Sequence, residues 1–216
     1  MTLWIEDGIE DGQKRVRCYL RGALVADTRR PVLVWEHRYY PAYWLPECDV
    51  DTASLHDGAV RRSPDERLRG LVHLDWDALD EWLEEDEPVY VHPRNPYTRV
   101  DILASSRHVV VEIDGVRVAD SRQPRILFET GLPPRYYLPL TDVRLDLLRP
   151  SGATSCCPYK GTATYWSCGD LDDIAWTYRT TLPESHKVVG LVCFYDERVD
   201  VTLDGVRQER PCTHLA

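Results

Sequence analysis

Five stretches of this chain gather side chains that could do chemistry. They are 128–139 with Glu129, Arg135, Tyr136 and Tyr137; 157–161 with Tyr159 and Lys160; 165–167 with Tyr165 and Trp166; 175–178 with Trp176; and 194–200 with Tyr195, Glu197 and Arg198. A mostly apolar, ring-lined cavity with a few placed polar groups is how small-molecule sites are usually built. In such a cavity, Glu129 desolvated between rings becomes a general acid or base. Arg135 and Lys160 would neutralise an anionic substituent, the arginine as a bidentate fork. Glu129, Lys160 and Tyr137 are the catalytic candidates. Arg135, Tyr136, Tyr159, Tyr165, Trp166, Trp176, Tyr195, Glu197 and Arg198 are the binding candidates. Cys157 would be a nucleophile if an adjacent cation stabilised its thiolate.

A plainer reading competes at every one of these positions. Tyrosines and tryptophans in small β domains are mainly core and sheet surface. Glu129 and Arg198 pair, on this view, with each other or with backbone groups, and Cys157 is a small buried hydrophobe.

The elements that would carry these groups read as short strands. Val109–Ile113 and Val116–Val118 flank Asp114-Gly115, a pair that supplies the positive φ of a tight hairpin turn. Leu20-Arg21-Gly22-Ala23 and Leu203-Asp204-Gly205-Val206 repeat the form. Segments 32–36, 125–129, 162–167 and 188–195 read as further strands. Close spacing and Gly/Pro punctuation indicate an antiparallel sandwich or bent-sheet fold. One helix is expected over 75–86, where Trp76, Leu79, Trp82 and Leu83 share a face at the helical period and carboxylates fill the other. A solvated face explains that acidic cluster better than a metal site. Segment 53–71 reads as an irregular connection.

The strongest pattern is internal repetition. Aligning Gly22–Val50 with Gly115–Val143 without a gap gives identity at 13 of 29 positions, against about two by chance. Glu36 falls on Glu129, Tyr43 on Tyr136 and Trp44 on Tyr137. The expected architecture is therefore mainly β: two tandem copies of a small bent antiparallel-sheet unit, 1–104 and 105–216, with one or more short helices. Units of this size are near the lower limit for an independent core, so a shared interface is expected. Beyond the aligned window the copies diverge. Ser63-Pro64-Asp65-Glu66-Arg67 stands where Cys157-Pro158-Tyr159-Lys160-Gly161 is expected, Glu81-Trp82 where Ala175-Trp176 falls, and Arg99-Val100-Asp101 echoes Arg198-Val199-Asp200. A complete site is thus expected only in the second copy.

Composition sets the outer limits. The chain has 216 residues and a formal net charge of -10. Such a surface repels a phosphate backbone, which disfavours nucleic-acid partners. No apolar run approaches the roughly 20 residues that span a bilayer, and no signal pattern opens the chain, so a cytoplasmic location is expected. The seven cysteines lack framework spacing and read as thiols. No phosphate-loop, Gly-x-Gly-x-x-Gly, Cys-x-x-Cys or His-Glu-x-x-His pattern occurs, and nothing visible requires a cofactor or a metal. The expected partner is a small organic molecule, anionic in one version, with a homodimer compatible with the sequence.

The run 109–143, Cys157-Pro158-Tyr159-Lys160-Gly161, Ala175-Trp176-Thr177-Tyr178 and 194–200 together resemble the bacterial family called domain of unknown function 427, and the whole chain resembles its tandem form. The resemblance implies a compact mainly β unit, described as a tent of bent sheets, and a cytoplasmic protein. That family also carries a nucleotidyltransferase-like label. The chain lacks the Gly-Ser followed by paired aspartates with which such enzymes hold metal and triphosphate. The leading expectation is acid-base chemistry, such as isomerisation, cyclisation or dehydration, in a pocket of the second copy. The alternatives are a non-catalytic module binding a metabolite or a protein, and a purely structural duplication with an interaction surface on the acidic helix.

Overall fold

The computed structural model describes residues 8–213. The chain forms two compact units, Met1–Pro96 and Tyr97–Ala216. Both are mainly β, and all four sheets are antiparallel.

The first unit contains β1 (Ile9–Asp11), β2 (Val16–Leu20), β3 (Ala23–Thr28), β4 (Val32–Val34), β5 (Ala42–Pro46), β6 (Val60–Arg61), β7 (Leu71–Leu74), β8 (Glu81–Glu84) and β9 (Glu87–Val89). They form one sheet in the order β1-β4-β5-β7-β6 and another in the order β3-β2-β8-β9. The second unit contains β10 (Val100–Ala104), β11 (Val109–Ile113), β12 (Val116–Ser121), β13 (Arg125–Glu129), β14 (Arg135–Leu138), β15 (Leu148–Cys157), β16 (Gly161–Cys168), β17 (Leu171–Tyr178), β18 (Val192–Phe194), β19 (Asp200–Leu203) and β20 (Val206–Arg207). Their sheets run β10-β13-β14-β18-β17-β16-β15 and β12-β11-β19-β20.

Strand for strand the second unit repeats the order of the first and adds the β15–β16 hairpin. Details agree as well. Thr28 donates to Asp49 at 2.7 Å in the first unit, and Ser121 donates to Asp142 at 2.7 Å in the second. The boundary lies at Pro96/Tyr97, eight residues before the one expected, because β10 pairs along its whole length with β13 and belongs to the second unit.

The hairpin turns form where the sequence places them. Asp114 and Gly115 both take positive φ, 49° and 78°, which matches the right-handed twist of β11 and β12. In the second unit alternate residues of β11, β12, β14, β17, β18 and β19 meet in one core, with Val109, Val118, Leu138, Ile174 and Val192 fully buried. Burial of both inner faces at period two is what fixes this sandwich.

The helix expected over 75–86 does not form. Trp76–Ala78 is a single 3₁₀ turn and Glu81–Glu84 is strand β8, paired with β2 so that Trp82 lies opposite Cys18. The apolar spacing satisfied a helical period, but Trp82 and Glu84 also alternate at the strand period and are both buried. Pairing with β2 gives the backbone its hydrogen bonds and the indole its core place, and it prevails over local propensity. The regular turns among the described residues are all short 3₁₀ segments. Segment 53–71 is irregular apart from β6 and two such turns.

Three further correspondences follow from the sheets. Glu81-Trp82 in β8 matches Asp200-Val201 in β19, because each pair faces the second strand of its unit; it does not match Ala175-Trp176. Arg99-Val100-Asp101 enters the first strand of the second unit and is not an equivalent of Arg198-Val199-Asp200. Nor does 63–67 replace 157–161. It lies between β6 and β7, as 182–186 lies between β17 and β18, whereas the hairpin that carries 157–161 has no counterpart in the first unit.

No helix among the described residues is long and apolar enough to cross a membrane.

Candidate functional site

Strand pleating sorts the candidate residues onto two faces of the seven-stranded sheet. Registers pair Leu127 with Arg135, Tyr137 with Cys193, Cys193 with Trp176, Trp176 with Tyr165, and Cys157 with Gly161. Glu129, Arg135, Tyr137, Trp176, Tyr165 and Cys157 therefore share the face turned away from the sandwich core. Tyr136 and Trp166 have the opposite parity and pack against that core. Trp166 donates its indole N–H to Thr177 Oγ1 at 3.0 Å. Neither Tyr136 nor Trp166 can wall a cavity at Glu129. The sequence shows this only once the register is known, since a one-residue shift exchanges the faces.

On the shared face, two ion pairs dominate. Lys160, from the turn joining β15 and β16, donates Nζ to Glu129 Oε2 at 2.5 Å, both side chains being 11% exposed. The turn places Lys160 there because Gly161 takes φ +97°, which an L side chain rarely adopts. Hydrogen bonds to the segment after β17 hold the turn down. Leu182 N–H donates to the carbonyl of Lys160 at 3.3 Å, and Ser185 Oγ donates to the carbonyl of Tyr159 at 2.9 Å. Tyr159 itself is half-buried beside this turn.

Arg135 forms the second pair. Its Nη1 and Nη2 donate to Glu197 Oε2 and Oε1 at 2.8 and 2.5 Å. The fork is buried, and its guanidinium carbon lies 5.8 Å from the centre of the Trp176 ring. Burial works against the Arg135 charge, but Glu197 more than compensates and holds the guanidinium firmly protonated.

The rings pack against one another. Trp176 donates Nε1 to Tyr137 Oη at 3.1 Å, and its ring lies 4.6 Å from that of Tyr195. Tyr165 and Tyr195 are near-parallel with centres 6.5 Å apart, and the Tyr165 hydroxyl bonds Ser155 Oγ at 2.6 Å. Tyr137 is 1% exposed and burial pushes its ionisation well above the ordinary range, so it is a hydrogen-bonded core residue and no proton carrier. Arg198 reaches the Asp172 carbonyl at 3.0 Å, away from Glu129, so the pairing of Glu129 with Arg198 does not occur.

One group escaped the sequence reading although it lies inside a stretch singled out there. Asp196 is 8% exposed, and its Oδ2 stands 4.0 Å from Arg135 Nη1. Burial raises its carboxyl to about 7; Arg135 opposes the rise and Glu197 adds to it. No sequence signal separated Asp196 from Glu197, because which of two adjacent carboxylates takes the fork depends on how the chain turns after β18.

Two surface hollows, one beside Asp200 and 207–210 and one along 62–71 with Glu47, do not include the residues above. Among the described residues no cluster of His, Cys, Asp and Glu is disposed to hold a metal ion.

The first unit carries a reduced version. Glu36 occupies the position of Glu129 and is paired at 2.6 Å with Arg61, whose guanidinium lies 4.9 Å from the centre of the Trp44 ring. Ala42 stands at the position of Arg135, and the β15–β16 hairpin is missing, so Glu36 and Arg61 are 39% and 50% exposed.

No curated protein matches the chain. One family model does, named NTP_transf_9 and described as Domain of unknown function (DUF427), over residues 8–73 and 101–205. These segments hold both sheets of the second unit almost entirely and most of the first unit, so the chain belongs to the DUF427 family.

Proposed function

We propose that the second unit performs acid-base chemistry on a small organic molecule that meets the half-buried rings of Tyr165 and Tyr195, with Asp196 as the proton-transfer group. The supporting observation is the placement of Asp196. It is desolvated beside an arginine whose fork is already taken by Glu197. A carboxyl in that setting holds its proton near neutrality and can both give and take it. Isomerisation, cyclisation and dehydration need such a group. Glu129 is engaged by Lys160 and serves to seat that lysine.

The second reading, a non-catalytic metabolite- or protein-binding module, is favoured by a different fact. Both cations on the face already hold a carboxylate, so the face is electrically complete without a ligand. A neutral or weakly anionic molecule suits it better than a phosphate.

Incubating the protein with a metabolite extract and following masses over time separates the two. Conversion that disappears in Asp196→Asn, with the thermal shift of the converted compound retained, supports the enzyme. A compound that stabilises the protein but is never consumed supports the binder. If nothing in the extract stabilises the protein or is consumed, both readings fail.

The two units descend, in this account, from one duplicated module, of which the second has the hairpin that delivers Lys160. The protein would work in a bacterial cytoplasm, where seven unpaired cysteines and a net charge of -10 are at home, without nucleic acid or membrane as partner. A homodimer remains compatible with it.

A further inference from the structure

β20 ends at Arg207, and the chain after it turns back along the start of β19. Gln208 N–H donates to the Val201 carbonyl at 2.8 Å, Arg210 pairs with Asp200 at 2.9 Å, and the Thr213 hydroxyl donates to Glu197 Oε1 at 2.5 Å. As the strap advances from 208 to 213 its partners step back from 201 to 197. It therefore runs antiparallel to β19 and reaches the turn that carries Asp196 and Glu197.

That turn follows β18 and is closed by Arg198 N–H donating to the Tyr195 carbonyl at 2.8 Å. It sets two consecutive carboxylates beside one guanidinium. Glu197 takes both donors of the Arg135 fork, while Asp196 Oδ2 stands at 4.0 Å, beyond hydrogen-bond reach. Either carboxylate suits a guanidinium fork chemically, so something must decide between them. A carboxylate oxygen has two lone pairs, and Glu197 Oε1 uses one for Arg135 Nη2 and the other for Thr213. Burial would raise the Glu197 carboxyl, but Arg135 and Thr213 hold it below its ordinary value. The other ionisable groups around Asp196 are Tyr136 and the buried Cys193.

We propose that Thr213 is a positioning residue: its hydroxyl fixes Glu197 in the Arg135 fork and so keeps Asp196 out of it, free to exchange a proton with a bound molecule. The inference rests on the reading of Asp196 as the proton-transfer group. Without the hydroxyl, Glu197 keeps one fewer hydrogen bond and Asp196 competes for the guanidinium. The two carboxylates then share the fork, and their proton affinities move in opposite directions.

The test follows the carboxyl carbons of Asp196 and Glu197 by NMR in the carbon-13-labelled full chain during a pH titration, with Asp196→Asn assigning the signals. In the unaltered protein Asp196 is expected to titrate near 7. Thr213→Val should lower that midpoint by about one pH unit, the equivalent of a tenfold change in preference, and raise the Glu197 midpoint. Thr213→Ser, which restores the hydroxyl, should keep both where they were. Arg210→Ala, which loosens the strap at Asp200, should move them as Thr213→Val does. An unchanged Asp196 midpoint in Thr213→Val overturns the proposal, even if Glu197 rises, because that is a lost hydrogen bond and no exchange. A fall at Asp196 with Glu197 unmoved overturns it too, since water entry alone explains it. An unaltered protein in which Asp196 already titrates near its ordinary 3.8 removes the proton-transfer reading itself, and the proposal with it.

Discussion

Arg135 and Glu197 face each other through two parallel hydrogen bonds, 62 positions apart in sequence, with side chains 6% and 4% exposed. The pair joins β14 to the segment after β18. A buried pair of this kind contributes little net stability over an apolar replacement, but breaking it leaves one charge stranded. Arg135→Met should therefore cost about 3–5 kcal/mol in urea denaturation. Arg135→Met combined with Glu197→Met should recover most of that loss. A double variant as unstable as the single one would show that the guanidinium has further partners.

Asp196 gives the stability a pH dependence of unusual sign. Its carboxyl is raised in the fold from an ordinary 3.8 to about 7, so the folded state binds the proton more tightly than the unfolded one. Its contribution is complete below about pH 4 and is lost as pH rises toward 7. Most shifted carboxylates here, such as Asp27, Asp49 and Asp120, are depressed by hydrogen-bonded partners and act the other way. The measurement is thus the difference between the unaltered protein and Asp196→Asn. That difference should swing in favour of the variant between pH 4 and pH 7, by at most about 4 kcal/mol at 1.36 kcal/mol per unit. A flat difference across this range would place the carboxyl in water.

Much of this was legible in the sequence, and what was not has specific causes. Asp-Gly pairs located the β11–β12 and β19–β20 turns because only certain residues tolerate positive φ there. The corresponding turn after β8 was missed because Glu85, at φ 51°, stands where Asp204 precedes a glycine. That miss left 75–86 free to look helical. Glu129 and Lys160 were both singled out, but their mutual engagement was not foreseeable, since they are brought together by a turn and not by spacing. Trp166 and Tyr136 were credited to the wrong face because composition carries no register.

The two tryptophans of the site should accordingly behave differently. Trp176 lies on the Glu129 face and donates to Tyr137, whereas Trp166 lies on the core side and donates to Thr177. Trp166→Phe should lower stability by about 1–2 kcal/mol, from the lost hydrogen bond and smaller ring, without changing ligand-induced thermal shifts. Trp176→Phe, which frees the Tyr137 hydroxyl and loosens the packing under Arg135 and Tyr195, should alter those thermal shifts. Equal effects on the thermal shifts from the two variants would mean that the faces are misassigned.

The same carboxylate position, occupied in both units, provides an internal control for the role of burial. Glu36 and Arg61 are open to solvent, so their pairing is screened and should be worth less than about 1 kcal/mol. Glu129 and Lys160 are covered by the β15–β16 hairpin, and removing one charge strands the other. Glu36→Gln should change the urea midpoint little, and 0.5 M salt should remove what change there is. Glu129→Gln should cost about 3 kcal/mol and respond weakly to salt, since counterions do not reach the pair. If the two substitutions prove equally mild and equally salt-sensitive, the hairpin does not seal the lysine from water.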